Sequence, residues 1–508
     1  MKLFAELLED ISFARNENVK IHLLIKYFEQ EGNHANKDEV LNLLVGYYPK
    51  KGVSSKQLKI WSTELTGYPE WIIDRSEQEI GNFIKTFALL LGTAEQKVPE
   101  RSFTNWISAI SRFSISPESE IKNFIKNELA LAEPRQRLLV LRLLTGTFKS
   151  PIPEITLVKC LSKILHIAPA IISLRLDRGK MKRNVTISEL GNPTESESNN
   201  IPWQFPEIKF IDNSPVYQGK CEDWEAFGYR NGIEVQLVKN EKTIYLWTSE
   251  LEIITDKFPE IINSCMQIHE DFALYGQILP GADGTSLEAL KNRINKKNIT
   301  KNDLQSCMAV FCVWKILKFE ADTTIKFRDI YKDVFSQLNN FELIDKLDFT
   351  SPDELTSLHQ KCRQLGYSGI VLREKSQTDI YQLWKANSYS INAVLMYAEL
   401  DVMENSGIKS LTFGLSHPGE IIPIAKVSTF SKSIDIHEIL SFIKENTIER
   451  FGPVRTVSPS RVYELHFDSI TISKRRKSGL MLSNVTIHRK VVDGSILVDS
   501  LDSLKTLL

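Results

Sequence analysis

The chain has 508 residues, and at about 150 residues per domain this length predicts about three domains. Apolar residues make up 42% and charged residues 25%, and no apolar run reaches the roughly 18 residues that a membrane span needs. These values exclude a membrane-spanning role and a single small module. The N-terminus runs directly into Glu6, Glu9 and Asp10, which leaves no room for a secretory leader. We therefore expect a cytoplasmic protein.

The charge balance and the cysteines narrow the possible partners and cofactors. Lysine plus arginine (63) nearly cancel aspartate plus glutamate (64), so any contact with nucleic acid must come from local basic patches. The cysteines lie far apart, with no C-x-x-C pair and no histidine at finger spacing. We therefore expect no metal site, and buried free thiols at Cys160, Cys221, Cys265, Cys307, Cys312 and Cys362.

The apolar pattern changes along the chain. From Phe4 to about Arg183 the apolar residues recur at helical spacing, which predicts a helical region. The polar stretch 188–200 has the composition of a linker. Alternating runs on both sides of 239–242 predict a hairpin, and a mixed α and β pattern follows to about residue 395. The last hundred residues combine strands, as at 461–467, with one helix over 436–450, an order that fits a small barrel holding one helix.

Several segments resemble ATP-dependent DNA ligases. Residues 223–239 and 255–260 are similar to the start of the nucleotidyltransferase domain of that family, 369–373 to its fourth motif, and 383–385 with 389–395 to its fifth. The first and last thirds of the chain are similar to the helical DNA-binding domain and the barrel of bacterial ligases that are associated with a large helicase and a metallophosphoesterase exonuclease. The segments that carry these two similarities are 69–73, 143–148, 449–455, 462–465 and 476–479.

The resemblance implies a multidomain α and α+β protein. It would comprise a helical DNA-binding domain (1–187), a linker (188–203), an ATP-grasp-like nucleotidyltransferase core of the ligase type (204–395) and a C-terminal OB-fold barrel (396–508). Active members use ATP and Mg²⁺ to place AMP on a lysine, pass it to a 5′-phosphate and join the 3′-hydroxyl of a nick. The implied partners are nicked or broken duplex DNA and, through the bacterial group, helicase and exonuclease proteins, in DNA repair or DNA processing.

The first motif of the family, Lys-x-Asp-Gly-x-Arg, has lost its reactive group in this chain. Its frame places Tyr229 where the lysine belongs, Asn231 in place of the aspartate and Glu234 in place of the arginine. A phenol with a pKa near ~10 is a poor nucleophile without assistance, and the exchange of arginine for glutamate inverts the local field. Lys220 and Lys239 bracket the motif, but we expect both to be solvated rather than catalytic.

The other nucleotide-site motifs are degenerate as well. Against the family pattern an arginine has become serine, two acids have become tyrosine and glutamine, a glutamate has become serine, and a lysine has become leucine. These positions are Ser249, Tyr275, Gln277, Ser368 and Leu383, whereas Lys385, Arg489 and Asp493 are retained. Trp314 lies in the segment that supplies an aromatic ring to stack on adenine in relatives, although packing in the core is an open alternative for it.

These substitutions favour a ligase-shaped protein without adenylyl transfer, for which we expect no catalytic residues and no bound cofactor. Each lost charge-assisted hydrogen bond is worth roughly 1.5–3 kcal/mol, so four lost cations suggest about 6–12 kcal/mol of lost nucleotide and transition-state binding before non-additivity. Two alternatives stay open. One is an active ATP-dependent DNA ligase, and the other is a protein scaffold for a helicase or nuclease partner.

Local basic runs are the candidate DNA contacts. One run ends the helical region and another precedes Gly479 in the barrel. Phosphate contacts by lysine and arginine dominate DNA affinity, and a solvated cationic turn is the alternative for each run. The candidate residues are Lys149, Arg178, Lys180, Lys182 and Arg183 in the helical region, and Arg475, Arg476, Lys477 and Ser478 in the barrel.

Overall fold

The computed structural model of the chain describes most of its residues. The described ranges are 1–14, 16–30, 34–92, 101–182, 185–192, 197–211, 221–281, 287–296, 298–319, 334–377, 379–400, 407–428, 434–473, 476–491 and 498–506, with only the backbone described at 34, 35 and 178–182. The chain divides into two compact units. The first contains Met1–Gln204, Glu234–Gly276 and Lys315–Ile330, and the second contains Phe205–Ile233, Gln277–Trp314 and Tyr331–Leu508.

Helices fill the N-terminal part of the first unit, as the apolar spacing predicts. Ser54, Asn82 and Ser102 cap three of them by accepting hydrogen bonds from backbone N–H groups in the first turn. Their apolar faces form one continuous core. The helices are α1 Lys2–Phe13, α2 Glu17–Glu29, α3 His34–Leu44, α4 Ser55–Thr66, α5 Glu70–Ile80, α6 Phe83–Leu90, α7 Phe103–Arg112, α8 Glu118–Asn127, α9 Pro134–Leu144, α10 Glu154–Leu165, α11 Pro169–Lys182 and α12 Ile187–Gly191.

The rest of the chain mixes strands with shorter helices. The helices are α13 Pro259–Cys265, α14 Leu287–Ile294, α15 Lys301–Ser306, α16 Pro352–Lys361, α17 Ile436–Asn446 and α18 Leu501–Lys505. The strands are β1 Glu207–Ile211, β2 Trp224–Tyr229, β3 Ile233–Asn240, β4 Thr243–Thr248, β5 Phe272–Pro280, β6 Ala309–Phe319, β7 Phe341–Leu343, β8 Lys346–Leu347, β9 Gly369–Glu374, β10 Ile380–Lys385, β11 Tyr389–Leu400, β12 Ile408–His417, β13 Glu420–Val427, β14 Thr447–Phe451, β15 Val454–Val457, β16 Val462–Phe467, β17 Ser469–Ile472, β18 Leu480–Ser483 and β19 Thr486–Lys490.

The predicted hairpin is confirmed in the first unit. Strands β3 and β4 pair antiparallel, with Asn240 opposite Thr243, and Glu241 in the turn has a φ of 51°. Trp247 of β4 is fully buried and packs with Leu174 of α11. This contact joins the hairpin to the helical core within the same compact unit.

A mixed sheet in the second unit has the strand order β1-β10-β9-β2-β8. Its strands alternate between two faces because successive side chains point to opposite sides. One face carries Ala226, Ile370, Leu372 and Trp384, which pack on the buried side of α16. The opposite face carries the residues in register with Tyr229 and Lys385, and it holds the candidate site.

A second sheet, also in this unit, forms part of a barrel. Its strand order is β13-β12-β11-β15-β14, and β16 pairs with both β11 and β19. Helix α17 packs Ile439 and Ile443 into the core of this sheet. The predicted helix over 436–450 was too long, because Thr447–Phe451 forms strand β14 and pairs with β15. The described strands form only part of a barrel, and the complete OB-fold barrel stays a prediction.

Two further expectations concern thiols and membrane spans. All six cysteines are free, and five of them are buried while Cys221 is half-buried, which confirms the predicted free thiols. Within the described ranges no single helix has the length and hydropathy to cross a membrane, although Glu154–Leu165 and Pro169–Asp177 meet that criterion when taken together as a pair bent by 114°.

An ion-pair network stabilises the mixed sheet. Glu225 on β2 accepts hydrogen bonds from Arg373 on β9 and from Lys346, whose Nζ lies 3.1 Å from Glu225 Oε1. The guanidinium of Arg373 also lies over the rings of Phe227 and Tyr381, at 5.4 and 5.9 Å. Burial opposes ionisation of Glu225, but the two cations outweigh it and lower the pKa of this carboxyl below its ordinary value of 4.5.

Replacing Glu225 with glutamine should destabilise the protein by about 2 kcal/mol at neutral pH, because Arg373 keeps its charge and loses its carboxylate partner. A carboxyl with a lowered folded-state pKa contributes stability above its unfolded-state pKa and loses it as the pH falls through the folded-state value. The difference between wild type and Glu225→Gln should therefore be full at neutral pH and shrink below 4.5. Thermal unfolding followed by circular dichroism across this range tests it. An equal difference at all pH values would contradict the assignment.

Candidate functional site

Three strand ends meet on the open face of the mixed sheet. Tyr229 ends β2 and lies opposite Gly369, the first residue of β9, and Gly369 lies opposite Lys385, the last residue of β10. The backbone N–H of Ser368 donates to the carbonyl of Tyr229 at 2.7 Å, and the N–H of Ala386 donates to the carbonyl of Ser368 at 3.0 Å. The structure therefore brings together the positions that the first, fourth and fifth motifs predicted, namely Tyr229, Ser368 and Lys385.

A row of aromatic rings lies on this face, and we call Tyr229, Trp314 and Tyr381 the aromatic row. Tyr229 and Trp314 pack edge to face with ring centroids 6.1 Å apart, and Trp314 and Tyr381 do so at 5.5 Å. Trp314 is 4% exposed and Tyr381 is 2% exposed. Leu383, on the same face of β10, is buried as well. Trp314 thus packs in the core, the alternative that the sequence left open for it.

The cations near the aromatic row have protein partners. The Lys385 side chain is exposed, and its Nζ lies 4.8 Å from the ring centroid of Phe210, a cation–π distance. Arg230, next to Tyr229, forms an ion pair with Glu342 on β7. A triphosphate would have to displace these contacts to use either cation. The sequence analysis did not single out Arg230, because nothing in the local pattern indicates its distant partner on β7.

Gly232 of the first motif region packs closely against β5. Gly232 lies so close to β5 that a Cβ at this position would approach the carbonyl oxygen of Ile278 to 2.8 Å and Cβ of Gln277 to 3.0 Å, so only glycine fits without a shift. Gln277 is 3% exposed, and Asn231 is half-buried beside Gly232 in the chain. Both side chains are neutral amides where the family pattern has acids.

Glu234 and Tyr275 form a pair within the first compact unit. The hydroxyl of Tyr275 donates to Oε1 of Glu234 at 2.8 Å, and Tyr275 is 1% exposed. Burial raises the pKa of Glu234 above its ordinary value of 4.5, and the hydrogen bond from Tyr275 only partly offsets this rise. Ser249 is exposed in the turn after β4. The family pattern has arginines at the positions of Glu234 and Ser249, and neither residue supplies a cation.

Lys239 differs from its predicted solvated state. It is 6% exposed, and its Nζ donates to the carbonyls of His269 and Glu270 at 3.2 and 3.0 Å, with a carboxylate oxygen of Asp271 at 3.8 Å. The ammonium group therefore holds the segment before β5 against the hairpin. This tertiary pairing makes Lys239 structural, and Lys220 lies outside the described residues.

The basic run of the barrel segment is only partly described. Arg476 and Lys477 are exposed; Nη1 of Arg476 donates to the carbonyl of Ile424 at 3.2 Å, and Lys477 pairs with Glu420. Ser478 differs from the predicted surface contact. It is 4% exposed, and its hydroxyl donates to the carbonyl of Leu480 at 3.1 Å, so it shapes the turn. Arg475 lies outside the described residues.

The basic run of the helical region has one structural member. Arg175, at its start, forms a buried ion pair with Glu197, with Nη2 and Oε2 2.7 Å apart. Lys149 is exposed in the loop after α9. The side chains of Arg178, Lys180 and Lys182 and the whole of Arg183 lie outside the described residues.

The retained residues near the C-terminus are only partly described. Arg489 on β19 is exposed, and its Nε lies 2.6 Å from Oε2 of Glu464 on β16. Asp493 lies outside the described residues. Beside this ion pair the structure groups Glu464, His466 and His488, which the sequence analysis missed because it searched for metal-ligand spacing along the chain. The spacing of Glu464 and His466, two apart on one strand, was the available signal.

The geometry of the aromatic row does not fit ATP and Mg²⁺. Mg²⁺ at phosphate sites is usually held by one or two carboxylates together with the substrate phosphates, and the motif positions 231, 277 and 368 carry two amides and a hydroxyl instead of carboxylates. Adenylyl transfer also requires an amine at the α-phosphate, and a phenol packed on Trp314 stands there. Among the described residues of this face, Glu225 carries a carboxylate, but Arg373 and Lys346 already pair with it. A metal ion would have to compete with both cations for this carboxylate.

The comparisons with known proteins agree with the ligase resemblance. No protein-family model matches the chain. A DNA ligase from Thermococcus fumicolans is 18% identical over 478 residues, which cover 85% of this chain and 83% of that protein. A probable DNA ligase from Koribacter versatilis is 23% identical over 290 residues, or 50% of each chain, so the chain spans about half the length of that relative. This protein is similar to DNA ligases.

The comparison with solved structures concerns the fold. The solved structure Pmar-Lig_PreS3 is 10% identical, with a TM-score of 0.50, and the match covers 96% of this chain and 98% of that chain. At this identity the likeness extends to the fold alone.

The pair of Glu234 and Tyr275 gives a test of the altered site. Replacing Tyr275 with phenylalanine should lower stability by about 1–2 kcal/mol, because the buried carboxyl group of Glu234 loses its hydrogen-bond donor. A raised folded-state pKa means that the stabilising neutral form is lost as the pH rises. Glu234→Gln should therefore gain stability over wild type as the pH rises, and thermal unfolding at several pH values measures this.

The double variant Glu234→Gln/Tyr275→Phe is the control for this pair. It should recover most of the loss of Tyr275→Phe, because no carboxylate is left without a donor. Tyr245→Phe, in the hairpin that contains Glu234, is the matched hydroxyl deletion away from the pair, since Tyr245 is also buried. If Tyr275→Phe is as stable as wild type while Glu234→Gln is destabilised at every pH, the assigned roles are wrong.

Proposed function

We propose that this protein belongs to the ATP-dependent DNA ligase family and binds nicked or broken duplex DNA without joining it. The observation that carries the proposal is the position of Tyr229. It lies at the meeting point of the three motif strands, opposite Gly369 and in line with Lys385, and its ring packs on Trp314. By the resemblance, this is the position of the ligase lysine, and an unassisted phenol is a poor nucleophile there.

The loss of charge around Tyr229 supports the inactive interpretation. Phosphoryl chemistry is accelerated mainly by cations placed against the charge that develops on the transferred group. Lys385 remains, but its ammonium lies over Phe210, and Arg230 is paired with Glu342. The rings of the aromatic row provide no charge. Binding of a triphosphate here would cost desolvation without compensating ion pairs.

DNA binding depends on a different surface, where exposed cations remain. Arg476 and Lys477 lie in the turn before β18. The hydroxyl of Ser478 and the φ of 70° at Gly479 fix the backbone of this turn. Lys477 pairs with Glu420 at the surface, where both side chains are largely exposed. Such a surface pair is weak, so a phosphate can replace Glu420 as the partner of Lys477. Release of counterions then drives association with the duplex.

The proposed domains, pathway and partners are those that the resemblance to DNA ligases implies. The helical region 1–187 would bind DNA, 204–395 would form the nucleotidyltransferase-like core and 396–508 the OB-fold barrel, with the linker at 188–203. We infer a role in DNA repair or DNA processing in the cytoplasm, with helicase or exonuclease partners. ATP and Mg²⁺, which active relatives use, have no part in this function.

The proposal predicts salt-dependent binding to nicked duplex. Replacing Arg476 and Lys477 together with alanine should raise Kd about tenfold at low salt and reduce the slope of log K against log salt by about 2, because two phosphate contacts are lost. The measurement is fluorescence anisotropy with nicked and intact duplexes of the same sequence. The matched control is Lys444→Ala/Lys505→Ala, which removes two exposed lysines elsewhere in the barrel segment.

The same samples separate the alternatives. In a nick-sealing reaction with ATP and Mg²⁺, the wild type should leave the nick open. A sealed product would identify an active ligase and overturn the non-catalytic function. Equal loss of affinity in the control variant would overturn the specific role of Arg476 and Lys477. No binding of wild type to any of the duplexes would overturn DNA binding and favour the scaffold.

A further inference from the structure

The outer face of strand β16 carries two metal-binding residue types in a row. Burial alternates along the strand, so that Tyr463, Leu465 and Phe467 point into the barrel core. Glu464 and His466 therefore point outward on the same face, two residues apart. Their side chains touch, with Nε2 of His466 at 3.1 Å from Oε1 of Glu464.

A β-bulge in the neighbouring strand adds a third residue to this face. In the pairing of β16 with β19, Glu464 lies opposite Arg489 and Leu465 lies opposite Ile487. His488 is the extra residue between them. Ile487 points into the core, and the bulge then lets two consecutive side chains, His488 and Arg489, both point outward. Without the bulge, one of these two side chains would point into the barrel.

The three side chains converge. The imidazole rings of His466 and His488 stack with centroids 4.1 Å apart and an interplanar angle of 11°. One ligand atom from each of Glu464, His466 and His488 lies within 4.8 Å of the other two. In a tetrahedral zinc site with bonds of about 2.0–2.1 Å, ligand atoms lie about 3.3 Å apart, so small side-chain rotations suffice to close the group around an ion.

We propose that Glu464, His466 and His488 bind one divalent transition-metal ion of the zinc class. Two imidazoles and one carboxylate form a donor set that suits Zn²⁺ and leaves a fourth position for water. Mg²⁺ and Ca²⁺ prefer all-oxygen sites, so the two histidines select against them. This site is separate from the aromatic row, and the inference does not depend on the proposed DNA-binding function.

Arg489 is the positioning residue of this site. Its Nε lies 2.6 Å from Oε2 of Glu464, so it holds one carboxylate oxygen while the other, Oε1, faces His466. A contact to the second oxygen of a ligating carboxylate fixes the orientation of the ligand. The ion would join β16 to β19 across the bulge, where the regular ladder of backbone hydrogen bonds is interrupted, and would stabilise the end of the sheet.

Isothermal titration of the full chain with Zn²⁺ tests the proposal. The wild type should bind one ion at this site, and His488→Ala and His466→Ala should each weaken binding at least about tenfold. Zn²⁺ should also raise the thermal unfolding midpoint of wild type by mass action but not that of the two variants. Mg²⁺ and Ca²⁺ should give neither effect. His488 is exposed, so its replacement leaves the fold intact.

His437→Ala is the matched control. His437 is an exposed histidine of the same barrel segment, at the start of α17, and its loss should leave zinc binding unchanged. Two results would overturn the site. One is the absence of zinc binding by wild type up to about 0.1 mM. The other is zinc binding in His466→Ala and His488→Ala that equals that of wild type, which would place the ion on other groups.

Discussion

The edge-to-face contact between Tyr229 and Trp314 determines which chemical groups face the site on the mixed sheet. Backbone pairing places residue 229 where three strands end together, and whichever side chain stands there faces the site. A lysine at this point would bring a charge that requires anionic or polar partners, whereas a phenol gains from packing on an indole ring. Tyr381 extends the row. In the proposed interpretation, the strand ends that would hold a nucleotide remain, while aromatic rings face the site.

The chemistry of the cleft and the electrostatics of DNA binding are separable. Joining a nick requires an amine, a metal and cations within a few ångströms of one phosphorus, and each loss reduces the rate steeply. Binding DNA requires only cations spread along a surface, each with a modest and salt-dependent contribution. In the proposed function, Arg476 and Lys477 supply such cations without any contribution from the aromatic row. The proposed function therefore separates holding a DNA end from modifying it.

Local patterns predicted the parts of the fold that depend on local physics. Helical spacing located the helices of the first unit, and alternation located the hairpin whose turn contains Glu241. The resemblance assigned Tyr229, Ser368 and Lys385 to three separate motifs, and their meeting at three strand ends is a finding of the structure. Burial of Lys239, the pairing of Arg175 with Glu197 and the outward turn of His488 were not predictable. Each depends on tertiary register or on a bulge, which the chain's local pattern does not encode.

The central claim is that the group at position 229 cannot accept AMP. The most direct measurement is incubation of the full chain with Mg²⁺ and ATP labelled at the α-phosphate, followed by denaturing electrophoresis beside an active ligase. The account predicts no covalent label on this protein while the active ligase is labelled. A labelled band, with the label mapped by mass spectrometry to Tyr229 or to any lysine, would contradict it.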